Sequence, residues 1–92
     1  MQQSSDDAGV ILALMRRFNR QRLPRVLELK KKVDQGDCLN NADIAFLERV
    51  FKDAKHSAPL VDRHPELHAY ASRAVSLYKE ITTKALENEK QS

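Results

Sequence analysis

The chain has 92 residues, of which 41% are apolar and 32% charged, and a formal net charge of +3. This is too apolar for a disordered chain and too polar for a membrane protein, and no run approaches the ~20 apolar residues needed to span a bilayer. Two glycines and three prolines are too few for the many tight turns of a β fold and favour long helices.

Residues 1–5 are polar and are expected to fray, as are residues 89–92. Ser5, Asp6 and Asp7 then offer capping oxygens and negative charge at a helix N-terminus. The first helix is expected to run to about Arg20. Val10, Ile11, Leu14, Met15 and Phe18 follow the i, i+3, i+4 spacing of one buried stripe. Leu23-Pro24 reads as a fresh start, because proline suits the first turn of a helix and pushes the residue before it out of helical angles. The second helix then spans about 24–35, with Val26, Leu27, Leu29 and Val33 as its stripe. Lys30 falls inside that arc, its stem on the core and its ammonium in water. Gly36 stands where a helix C-cap glycine belongs.

Asn40 is the expected N-cap of the third helix. Asp43, three residues on, completes an acidic capping box, and Leu39 and Ile44 have the spacing of a hydrophobic staple. Ile44, Phe46, Leu47, Val50, Phe51 and Ala54 form one broad face. This helix is expected to fade near residues 56–58, with Pro59 enforcing the break and residues 59–63 forming a loop or a single turn. His64-Pro65 repeats the proline start, and the longest helix follows to about Asn88. Its apolar residues are Leu67, Tyr70, Ala71, Ala74, Val75, Leu77, Tyr78, Ile81, Ala85 and Leu86. They cover about 180° of the wheel, against the ≳100° of a helix lying on one neighbour.

The expected architecture is therefore all-α: one domain, residues 1–92, built as a small antiparallel bundle of about four helices with a long C-terminal helix. A domain of this size buries only roughly 60–65% of the surface of its unfolded chain. Its core must be efficient, or a partner must cover part of it. The lone Cys38 cannot form an internal disulfide. The first apolar run follows two aspartates and lacks the basic lead of a secretory signal. The expected compartment is the cytoplasm.

Chemistry-bearing patterns are sparse. His64 and His68 share a helix face, with Asp62 and Glu66 beside them. Two ligands are not a metal site, and Pro65 stands where a zincin needs glutamate. Cys38 lies beside Asp37, which works against a reactive thiolate. Two glycines preclude a phosphate-cradling loop, and no serine sits in a nucleophile elbow. The sequence is read as non-enzymatic, with no catalytic residue, metal, cofactor or small-molecule substrate.

Charge is more telling. Residues 16–32 carry +7 and the rest of the chain −4. Arg16, Arg17, Arg20, Arg22, Arg25, Lys31 and Lys32 would merge into one basic surface if the first two helices pack side by side. Such a surface attracts phosphates, although charged helix faces usually serve solvation and no aromatics interleave for base stacking. The broad apolar face of the last helix offers a different surface, with Tyr70, Leu77, Tyr78 and Ile81 as candidate interface residues. The leading expectation is a helical interaction or regulatory module working through a protein partner or a homodimer. The alternative is a nucleic-acid-associated regulator using the basic patch. A membrane role is not expected.

Overall fold

A computed structural model describes the backbone of residues 2–91 and the side chains of residues 7–91. Met1 and Ser92, part of the ends expected to fray, lie outside the described residues. The chain is an all-α protein, with no strand among the described residues. Its α-helices are α1 (Gln2–Arg17), α2 (Leu23–Asp34), α3 (Asn41–Arg63) and α4 (His68–Gln91). They form three rods, because a π-helical segment, Phe18–Arg22, joins α1 to α2 without a break. A 3-10 turn, Pro65–Leu67, leads into α4.

Three sequence expectations are corrected here. α1 begins at Gln2, so positions 5–7 lie inside the helix instead of capping it. The other two corrections fall at prolines. Pro24 does not separate two helices. In a plain α-helix its ring would abut the carbonyl four residues back and leave that carbonyl without a donor. The wider π turn relieves the crowding, and the Leu23 N–H bonds to the Phe18 carbonyl five residues earlier. The extra residue also keeps one stripe continuous. Asp7, Ile11, Met15, Phe18, Arg22, Val26, Leu29 and Val33 are all buried or half-buried. Seven ordinary helical turns cover about 25 residues, one fewer than separate Asp7 from Val33. Pro59 likewise fails to end α3, which continues to Arg63 in place of the expected loop at 59–63. A proline inside a helix costs about 3 kcal/mol. The continuation keeps Leu60 and Val61 half-buried in the last turn, which offsets part of that cost.

Where local chemistry sets a boundary unopposed, the sequence reading matches. Gly36 has φ 97°. The Gly36 N–H bonds to the Val33 carbonyl and the Asp37 N–H to the Lys32 carbonyl, which is the Schellman arrangement. The Asn40 side chain accepts from the Asp43 N–H at 2.8 Å, and Asp43 accepts from the Asn40 N–H at 3.1 Å, closing the capping box.

Contacts between rods give their directions. Arg22 meets Asp53 and Lys32 meets Asp43, while Asp7 meets His64, so α3 runs opposite to α1–α2. Phe18 meets Tyr70, Lys30 meets Glu80 and Val33 meets Asn88, so α4 runs with α1–α2. The result is an up-down-up rod of 55 × 20 × 17 Å. The joined first rod, about 50 Å at 1.5 Å per residue, accounts for its length.

The core sits at one end. Val26, Leu29 and Val33 of α2, Phe46 and Leu47 of α3, and Ile81 and Ala85 of α4 form one buried cluster, with Leu39, Val50, Leu77 and Tyr78 packed on it. Burying a side chain of this kind contributes roughly 1.5–3 kcal/mol. At the other end Leu67 is the one buried apolar residue among the described residues, and α1 has no buried side chain among residues 7–17.

Candidate functional site

The basic residues of the 16–32 window divide into two sets. Arg22, Arg25 and Lys32 face α3. Arg22 reaches Asp53 at 2.8 Å, while Arg25 and Lys32 reach the two oxygens of Asp43 at 3.4 and 2.7 Å. The Arg22 and Arg25 guanidiniums also lie over the Phe46 ring, 6.0 and 4.9 Å from its centroid, within the range of cation–π attraction. Asp43 is buried. Burial by itself would raise its pKa; the Lys32 ammonium, the Asn40 N–H and the Arg25 charge outweigh that and hold the carboxyl below its ordinary 3.8. These three cations fasten the first rod to α3. Arg16, Arg17, Arg20 and Lys31 are exposed and form no ion pair among the described residues. The basic surface open to an anion is thus smaller than the sequence pattern suggests.

The four residues expected at an apolar interface are placed mostly inward. Ile81 is fully buried at 0% exposure and leaves no surface for a partner. Leu77 and Tyr78 lie half-buried on the core, with Tyr78 5.8 Å from Phe51, centroid to centroid. Tyr70 is half-buried, meets Phe18 edge-on at 6.2 Å and donates its hydroxyl hydrogen bond to Asn19. The wide apolar arc of α4 is used by two neighbours, as a face of that breadth permits.

Val75 and Leu86 at the edges of that arc stay exposed, as do Leu27, Ile44 and Phe51, but the longest run of apolar residues in solvent is on α1. Residues 10–15 are apolar all the way round the helix (Val10, Ile11, Leu12, Ala13, Leu14, Met15). Only Ile11 and Met15, with Phe18 a turn later, turn toward the other rods, and all three remain half-buried. Val10, Leu12 and Leu14 are 50%, 51% and 37% exposed. Val10 and Leu14, four residues apart, stack on one ridge. Arg16, Arg17 and Arg20 follow directly along the same rod.

The histidine region is arranged for hydrogen bonding. His64 sits between α3 and the 3-10 turn, half-buried, with Nε2 2.8 Å from Asp7 Oδ2 and Nδ1 3.1 Å from Glu66 Oε2. Arg63 lies 3.5 Å from the same Asp7 oxygen. The Asp7 contact raises the His64 pKa above 6.5, against the opposing effect of burial, with Glu66 adding to the rise. His68 is exposed, and no group of three or more metal-binding side chains occurs among the described residues.

Asn88 escaped the sequence reading. It is buried, and its amide donates to the Val33 and Asp37 carbonyls, both at 2.9 Å. It therefore ties α4 to the C-cap of α2. A signal was present: Ile81, Ala85 and Asn88 stand at i, i+4, i+7, so the asparagine lies on the buried line.

No helix among the described residues is long and apolar enough to cross a membrane. No family model, curated protein or solved structure matches the chain.

Proposed function

We propose that this chain is a cytoplasmic, non-enzymatic interaction module that binds protein through α1, either a second copy of itself or a partner. One observation carries this reading: residues 10–15 are apolar around the whole helix, yet Val10, Leu12 and Leu14 stand in solvent. A helix apolar on every side is suited to burial on every side, and the bundle covers only one flank. The Val10–Leu14 ridge supplies the apolar centre, and Arg16, Arg17 and Arg20 supply a rim that favours an acidic edge on the partner.

Light scattering coupled to gel filtration tests self-association first. The expected result is a mass above 10.5 kDa that returns to the monomer in the Val10→Ser/Leu14→Ser double variant, with the far-ultraviolet spectrum unchanged. A wild-type monomer at every concentration, together with identical pull-downs by wild type and double variant, would overturn the reading.

A second reading keeps a specific observation: Arg16, Arg17, Arg20 and Lys31 are exposed and without an ion pair among the described residues. As a nucleic-acid contact they would neutralise about four phosphates, giving a salt slope near −3 to −4. A gel-shift series across ionic strength separates the two readings, because salt dissolves a phosphate contact and barely touches an apolar one.

A further inference from the structure

We propose that His64, Asp7 and Glu66 form a proton-operated clasp, which holds the N-terminal half of α1 on the α3–α4 turn while both imidazole nitrogens carry protons and loosens it when one proton leaves. The geometry demands a doubly protonated ring. One nitrogen stands 2.8 Å from a carboxylate oxygen of α1 and the other 3.1 Å from a carboxylate oxygen of the 3-10 turn. An imidazolium donates to both. A neutral imidazole has one N–H and one lone pair, so in either tautomer a lone pair faces a carboxylate at contact distance. The proton lost goes to solvent, and no other bond changes.

This contact matters because little else secures that end. No side chain of α1 among residues 7–17 is buried, and the core lies beyond Arg22. The charged groups around the clasp come from every neighbouring element. Asp7 belongs to α1, Arg63 to the end of α3, Glu66 to the 3-10 turn, and His68, whose charge acts on Glu66, to α4. Arg63 keeps a 3.5 Å hold on Asp7 in either state, but from an exposed position where salt screens it. Loss of the His64 proton therefore loosens the clasp without abolishing every attraction.

The pH window follows from the two partners. His64 is raised above 6.5, so its contribution is complete below that pH and is lost as pH rises through the folded value. Asp7 is held below 3.8, chiefly by its bond to His64, so its contribution is complete above that pH and is lost as pH falls through the folded value. The clasp is closed in mildly acidic solution and loosens on the alkaline side, freeing the half-buried faces of Ile11 and Met15. The inference stands whether or not α1 takes a partner.

Hydrogen exchange on the full chain, corrected for intrinsic rates, tests it alongside a nuclear magnetic resonance titration of His64. Protection of the α1 amides should fall about two- to fivefold as His64 titrates, the scale of one solvent-accessible ion pair, while amides beside Val33 and Ile81 hold steady. His64→Gln should remove the step, and Asp7→Asn should lower the His64 pKa and flatten it. The core amides report that each variant is folded. An α1 protection that ignores pH, or the same step in His64→Gln, would overturn the clasp.

Discussion

The two ends of this bundle are built from the same three rods and held by different means. At the α2 end, seven apolar side chains from three helices interlock around Val33 and Ile81, both inaccessible to solvent. Buried Asp43 and Asn88 add polar ties between chain segments far apart in sequence. At the α1 end, half-buried Ile11, Met15 and Phe18 lie on their neighbours, an edge-on ring pair joins Phe18 to Tyr70, and a histidine with two carboxylates closes the turn. Packing density, more than helix content, separates the two ends.

The comparison is open to direct challenge. Ile81→Ala should lose about 3–4 kcal/mol by the combined transfer and cavity cost of a sealed site, whereas Leu12→Ala in α1 should stay within about 0.5 kcal/mol, as exposed substitutions do. Urea unfolding of the pair measures the contrast; similar losses would erase the distinction between the ends. Asn88→Asp should cost about 2–3 kcal/mol, because it replaces a donor to two carbonyls with an acceptor and leaves buried groups unpaired. Asp43→Ala should cost about 1–2 kcal/mol through the lost cap and ion pairs. Its deficit should shrink in acid: the Asp43 carboxyl is held below 3.8, so its contribution is present above that pH and disappears as pH falls through the folded value. Thermal melts of wild type and variant across the acid range check this. The smallest stability effect is expected for Val10→Ser, within about 0.5 kcal/mol, even though the same face is where binding should be lost.

Legibility tracked the range of the interaction. The Gly36 cap, the Asn40–Asp43 box and the His64-Pro65 start each involve residues within a few positions of one another, and each was readable from spacing. Val26, Leu29 and Val33 were readable as a stripe, and Lys30 does reach outward, to Asp34 at 2.7 Å and Glu80 at 3.5 Å. Val10, Leu14, Leu27, Ile44, Phe51, Val75 and Leu86 sat on the predicted stripes and are exposed, because a wheel shows a helix's apolar arc without showing how much of it a neighbour covers. Pro24 and Pro59 misled for a related reason. A proline specifies a missing donor and a crowded carbonyl, but not whether the chain breaks or widens its turn. The candidate site was less legible still. Nothing at positions 22, 25 or 32 reveals that Asp53 or Asp43 would neutralise them, and the 180° arc that holds Tyr70, Leu77, Tyr78 and Ile81 suits two covering rods as well as it suits an outside partner.

By itself the sequence determined that this chain is helical, where the Gly36 and Asn40 caps lie and which residues of α2, α3 and α4 form apolar stripes. Those properties arise from backbone bonding and side-chain periodicity within a few turns. Only the tertiary structure decided which apolar flanks are covered, which cations are spent on internal carboxylates, and that His64 meets Asp7 across the bundle. Such pairings depend on where whole rods come to lie, and no local rule carries that information.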